Sequence, residues 1–191
     1  MVPVLLVIDV LNDFVDRHEP TERMRLIAAT NDLCRLVRNN AGRVIWVRQE
    51  FAPDLHDAFI GMRRANDPVT IAGTPGAQLA VGLDVLQKDE VVVKKRYSAF
   101  FRTDLDDLLP PPDQAWLITC GVNTHACVRT TVIDAYQRDY GVVIATDATR
   151  SYDAEYHNES LRYLGNRIAR LESNLQIKTL LTSGHTDHLF A

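Results

Sequence analysis

Six short apolar runs, spread along the whole chain and separated by amphipathic segments, constrain the fold of this sequence most. The runs are Pro3–Ile8, Val44–Val47, Val91–Val93, Trp116–Cys120, Val142–Thr146 and Ile177–Leu181. They are rich in β-branched residues and lack polar alternation. Such runs read as parallel strands buried on both faces. Between them, Thr21–Asn40 carries Met24, Ile27, Leu33, Leu36 and Val37 near helical spacing and stops at Gly42. Thr124–Tyr140 is closed by Gly141, and Asp153–Leu171 lines up Leu161, Leu164, Ile168 and Leu171 on one face. Thr103–Leu109 is a shorter helix ended by Pro110, Pro111 and Pro112. This alternation predicts one α/β domain over residues 1–191, a three-layer α/β/α sandwich around a mainly parallel six-stranded sheet. The stretch Glu50–Asp89, broken by Pro53, Pro68, Gly73, Pro75 and Gly76, is a long excursion with short helices expected around Leu55–Arg64 and Gly76–Leu83. Excursions of this length often carry binding residues.

Composition excludes several classes of function. A chain of 191 residues can bury a substantial core. Its formal net charge of -4 offers no basic excess, so nucleic acid is not an expected partner. Three cysteines, Cys34, Cys120 and Cys127, are too few and too odd in number for a disulfide framework, which fits a reducing, cytoplasmic setting. The run at the N-terminus has no basic leader and ends at Asp9, so it reads as a strand and not as a signal peptide. No stretch approaches the ~18 apolar residues of a membrane span.

Three titratable residues sit at or just past predicted strand ends. Asp9 ends the first strand, Lys94 ends Val91–Val93, and Cys127 lies one turn beyond Trp116–Cys120. Right-handed crossovers place these ends on one edge of the sheet, where ligands bind in open parallel sheets. Each residue alone has a structural explanation: a loop cap, a solvated lysine beside Lys95 and Arg96, a small buried thiol. Their joint placement points to a site. Cys127 also falls in the first helical turn after Gly121, where backbone N–H groups and partial positive charge make a thiol easier to ionise.

These residues lie in four ordered motifs: LLVIDVLNDF (Leu5–Phe14), GTPGAQL (Gly73–Leu79), VVKKRYSAFFRTDL (Val92–Leu105) and CGVNTHACVRTTVIDAY (Cys120–Tyr136). Over most of its length the chain resembles the isochorismatase-like cysteine hydrolases, a family that includes nicotinamidases, N-carbamoylsarcosine amidases and ureidoacrylate amidases. The resemblance implies a catalytic set of Asp9, Lys94 and Cys127. It also implies a non-proline cis peptide at Val122–Asn123, with the backbone N–H groups of Asn123 and Cys127 as an oxyanion hole. Asp9 would take the thiol proton, Cys127 would attack a carbonyl carbon, and Lys94 would favour the thiolate. The implied reaction is hydrolysis of an amide or ureido C–N bond through a thioester. Homodimers or larger homo-oligomers are implied as well.

The departures matter. Metal-binding nicotinamidases use an Asp-x-His pair after the second strand and a His after the GTPGA motif. Counting along this chain gives Glu50-Phe51-Ala52 and Ala80, and alanine cannot ligate. No metal or other cofactor is therefore expected. Asp54 and His56 form a lone pair on a loop, and His185 and His188 lie in the last seven residues. True isochorismatases share the fold, the Asp and the Lys but lack the cysteine nucleophile, so vinyl-ether cleavage is the alternative chemistry. A non-catalytic binding or assembly member is the alternative class. Leu11 stands where the family usually has Gln, which suggests a more apolar approach. Phe14, Arg96, Tyr97, Tyr152 and His157 are further candidates for substrate contact, each with an ordinary explanation in packing or solvation. The sequence does not name the substrate beyond a small amide or ureido compound.

Overall fold

The computed structural model describes residues 1–183, so His185 and His188 lie outside the described residues. Six parallel strands form one sheet in the order β3-β2-β1-β4-β5-β6. They are β1 (Val2–Ile8), β2 (Arg43–Gln49), β3 (Glu90–Lys94), β4 (Ala115–Gly121), β5 (Gly141–Thr149) and β6 (Arg170–Glu172). The helices are α1 (Asn12–Val15), α2 (Pro20–Asn39), α3 (Ile60–Ala65), α4 (Leu105–Leu108), α5 (Arg129–Tyr136), α6 (Ala154–Arg167) and α7 (Asn174–Ser183). Among the described residues no helix is long and apolar enough to cross a membrane.

The period of two in a strand divides the core. In β1, Val4, Leu6 and Ile8 face a cluster with Val132 of α5 and Leu164 of α6. Leu5 and Val7 face the opposite cluster, with Leu26 and Leu33 of α2 and Ile177 of α7. Each such side chain, fully buried, contributes roughly 1.5–3 kcal/mol. With both faces covered, β1 has no room for a polar position until it ends, and Asp9 is the first.

Two expectations are corrected. The sixth strand is not Ile177–Leu181; those residues belong to α7, and β6 lies at Arg170–Glu172, overlapping the end of what the pattern assigned to the preceding helix. Ile177, Leu180 and Leu181 follow helical spacing and pack on the α2 side of the sheet. A three-residue edge strand is too short to show a period. The second correction concerns the excursion. The expected helix at Leu55–Arg64 forms only over Ile60–Ala65, and the one at Gly76–Leu83 shrinks to a 3-10 turn at Pro75–Ala77.

The excursion is tied down by side chains. Asp13 accepts the Thr70 N–H at 2.7 Å, and a Cβ on Gly76 would fall 2.1 Å from that same carboxylate. At its far end, buried Asp89 pairs with Arg38 of α2 and accepts from Trp46 Nε1 at 3.0 Å. The excursion therefore forms a fixed wall over the sheet edge.

Candidate active site

The sheet register assembles the site. Ile8 pairs with Val47 and with Gly121, and Gln49 pairs with Lys94. The carboxyl ends of β1, β2, β3 and β4 therefore lie side by side. Directly after β1 the chain turns at Asp9, whose φ of 52° is left-handed. Aspartate adopts this conformation more readily than most residues. Gly121 has φ 119°, and a Cβ there would lie 1.9 Å from the Ile8 carbonyl oxygen. Only glycine lets β4 end this close to β1.

Asp9 and Lys94 are both fully buried. Lys94 Nζ lies 2.6 Å from Asp9 Oδ2 and donates to Cys127 Sγ at 3.3 Å. Asp9 Oδ1 accepts the Gln49 N–H at 2.7 Å. The lysine also donates to the Arg96 carbonyl at 3.1 Å. Burial by itself would lower the Lys94 ammonium, but Asp9 and Cys127 outweigh it and hold its pKa above the ordinary value. Lys95, one residue on, pairs with Asp57 at the surface.

The thiol differs from expectation. Burial, reinforced by the Asp9 carboxylate, pushes Cys127 well above an ordinary thiol, and Lys94 only opposes this. Position at a helix start does not decide the matter, because desolvation of the anion is the larger effect. Burial thus favours the thiol form of Cys127, with the Asp9 carboxyl against it.

Cys127 sits in a π turn, Thr124–Val128, that leads into α5. The Asn123 carbonyl accepts from the N–H groups of Ala126 at 3.0 Å and Val128 at 3.3 Å, on either side of Cys127. The Val122–Asn123 peptide is cis. The loop after β5 grips this turn: Thr124 donates its N–H to the Arg150 carbonyl, and Arg150 donates its own to Gly121.

A cavity of about 390 Å³ opens over Cys127 and Asn123. Of the candidates for substrate contact, Phe14, Tyr97 and Tyr152 line it, while Arg96 and His157 do not. Arg96 donates to the Asp57 and Lys95 carbonyls and stacks on Phe59, so it braces the wall from behind. His157 is half-buried and hydrogen-bonded to Thr124 Oγ1 at 2.7 Å. Arg17, Gln49, Phe59, Asp67 and His125 complete the polar and aromatic lining and were not singled out. Of these, Gln49 was within reach of the strand-end argument, because it ends β2. Nothing in the sequence marks Arg17. A wider hollow, about 610 Å³, lies at the other sheet edge around Tyr136, Arg167 and Arg170 and holds no nucleophile.

The metal question turns on the donors present. Ala52 and Ala80 do not line the cavity, and Ala80 is buried with its N–H on the Val10 carbonyl. The wall offers one carboxylate, Asp67, and one imidazole, His125. Among the described residues, no three His, Cys, Asp or Glu side chains are grouped to hold a metal ion. Asp54 and His56 bond each other, largely exposed on their loop.

A parallel α/β sheet with a buried carboxylate, ammonium and thiol at its carboxyl edge defines a hydrolase-like class, and comparison with known proteins agrees. The family model for the isochorismatase domain matches residues 3–174. A probable inactive nicotinamidase of Arabidopsis thaliana is 36% identical over 168 residues, covering 82% of this chain and 85% of that protein. Among solved structures, a nicotinamidase/pyrazinamidase of Bacillus subtilis superposes with a TM-score of 0.78 at 26% identity, covering 91% of this chain and 100% of its own. A cysteine hydrolase of Pseudomonas syringae pv. phaseolicola shares the fold with a TM-score of 0.85 at 23% identity, over 96% and 93% of the two chains. The chain belongs to the isochorismatase-like hydrolase family.

Proposed function

We propose that the protein is a metal-independent cysteine hydrolase that cleaves the C–N bond of a small amide or ureido compound. The observation that carries this reading is the contact of Lys94 Nζ with both Asp9 and Cys127 beneath the cavity. In the first half-reaction the Cys127 sulfur bonds to the substrate carbonyl carbon as its proton passes to Asp9. The N–H groups of Asn123 and Cys127 hold the oxyanion, an effect worth roughly 10²–10³ in rate per donor. The C–N bond breaks, and the leaving nitrogen takes the proton from Asp9. In the second, Asp9 accepts a proton from water while the hydroxide adds to the thioester. The acid leaves, and Cys127 recovers its proton from Asp9. Lys94 stays charged throughout and balances the negative charge shared by Asp9 and the sulfur.

Metal independence rests on the donor set, since one carboxylate and one imidazole make a poor cation site. The name of the Arabidopsis relative brings a non-catalytic member into view. The complete Asp9, Lys94 and Cys127 set supports catalysis instead.

The test is ammonia release from a panel containing acetamide, benzamide and N-carbamoylglycine, by wild type and Cys127→Ala. At least one compound should be hydrolysed, at a rate indifferent to exhaustive chelation. The Ala variant should stay folded and lose at least about 10³ in rate. Full activity in that variant would remove Cys127 as the nucleophile. No turnover of the panel by wild type would favour vinyl-ether chemistry or a binding role. Self-association into a homodimer or larger ring belongs to the same reading, and light scattering that finds a monomer at micromolar concentration would remove it.

A further inference from the structure

The turn that carries Cys127 is held from outside the sheet by side-chain contacts, of which the most buried is that of Thr124 with His157. Thr124, the residue after Asn123, is fully buried. Its hydroxyl meets His157 Nδ1, on the first turn of α6, at 2.7 Å. Its N–H goes to the Arg150 carbonyl at 3.0 Å. A buried hydroxyl needs a partner, and leaving it without one costs roughly 1–3 kcal/mol. His157 does not line the cavity, so its role is not to touch substrate. Burial, with Arg150 adding to it, holds its imidazole toward the neutral form. A neutral ring with its proton on Nε2 leaves Nδ1 free to accept from Thr124. A second bond, His125 Nδ1 with Ser151 Oγ at 2.6 Å, ties the same turn to the same loop one residue on.

We propose that His157 is a positioning residue that, through Thr124, fixes the Asn123–Cys127 turn so that its two backbone N–H groups converge on one point. The inference rests on the hydrolase reading above. It adds to that reading a residue remote from the cavity. Oxyanion donors act only when aimed within a few tenths of an ångström of the developing charge. Loosening their anchor should therefore lower turnover more than binding, because the charge exists only in the transition state.

The experiment uses the panel amide that wild type hydrolyses fastest, with His157→Ala, His157→Asn, Thr124→Val and the His157→Ala/Thr124→Val double variant. His157→Ala and Thr124→Val should each lower kcat about 10- to 100-fold with KM changed little. The double variant should be no worse than the weaker single one, because both remove one contact. Asparagine sets an amide near the place of Nδ1, so His157→Asn should recover most of kcat. Alkylation of Cys127 by iodoacetamide supplies the contrasting readout, since displacement at a saturated carbon generates no oxyanion. Its rate in His157→Ala should stay within about threefold of wild type while amide turnover falls. Equal losses in alkylation and turnover would mean general collapse of the site and overturn the proposal. So would additive effects in the double variant, or wild-type kcat in His157→Ala. Wild type that hydrolyses no amide would overturn the hydrolase reading and this inference together. An active wild type with a dead Cys127→Ala and an unaffected His157→Ala would overturn this inference alone.

Discussion

Lys94 and Lys95 are neighbours with the same charge and different surroundings. Lys94 is fully buried between Asp9 and Cys127, whereas Lys95 pairs with Asp57 at the rim. Strand alternation sends successive side chains to opposite faces, so one substitution at each position makes a controlled comparison. Lys94→Met strips Asp9 of its buried counter-ion and should cost at least about 10² in kcat and roughly 3–5 kcal/mol in stability. Lys95→Met should change stability by less than about 1 kcal/mol, as for other exposed pairs. Denaturant unfolding and steady-state kinetics on both variants check this, and a dead Lys95 variant would refute the pairing. Asp9, Lys94 and Cys127 were legible because strand ends on one sheet edge are a topological fact that apolar runs reveal. Arg96 and His157, candidates for substrate contact with an ordinary explanation beside them, do not line the cavity, because positions near strand ends do not say which way a long side chain turns. The ease of ionisation expected of Cys127 from its helix start is opposed by burial, since desolvation depends on what covers the turn.

At the scale of elements, the close approach of β4 to β1 is the most demanding feature. Gly121→Ala would force a methyl against the Ile8 carbonyl at a positive φ. The expected loss is roughly 3 kcal/mol or more, from overlap and backbone strain together. Because Ile8 precedes Asp9, activity should fall beyond what the unfolded fraction explains. Urea melts alongside turnover at low temperature would separate the two effects, and an Ala variant of wild-type stability would contradict the geometry. The misread end of the chain had a usable signal of another kind. Ser173 Oγ accepts the Gln176 N–H at 3.2 Å, and Gln176 Oε1 accepts the Ser173 N–H at 2.8 Å, a capping box that opens α7. The Ser-x-x-Gln spacing is in the sequence, and it marks a helix where apolar content alone suggested a strand. β6 had no comparable mark.

For the whole molecule, three histidines share one direction. Burial lowers His18, His125 and His157 below 6.5; for His18 Glu22 works against this and Arg150 with it, for His125 Asp153 works against it, and for His157 Arg150 reinforces it. Each is neutral in the fold where the unfolded chain would still bind a proton. Their contribution to stability is therefore complete above 6.5 and is lost as pH falls from there through the folded values. His56 has the opposite sign, with its pKa raised by Asp54, but it is fully exposed. Thermal unfolding should accordingly shift to lower temperature between about pH 7 and about pH 5, a window above the ordinary carboxylate range. His18→Gln should shallow the slope, and a Tm that rises on acidification would contradict the assignment.

The complete burial of Asp9 also bears on where a proton can go. Neither Asp9 nor Lys94 has any exposed surface, and the carboxylate is walled by the Gln49 N–H, the ammonium and the thiol. No buffer ion can therefore touch that carboxylate directly, even with the cavity above Cys127 empty. In the proposed reaction a proton received there would leave by way of the sulfur beside it or of whatever occupies the cavity. The basicity of the substrate's nitrogen would then weigh more than the buffering of the surrounding solution.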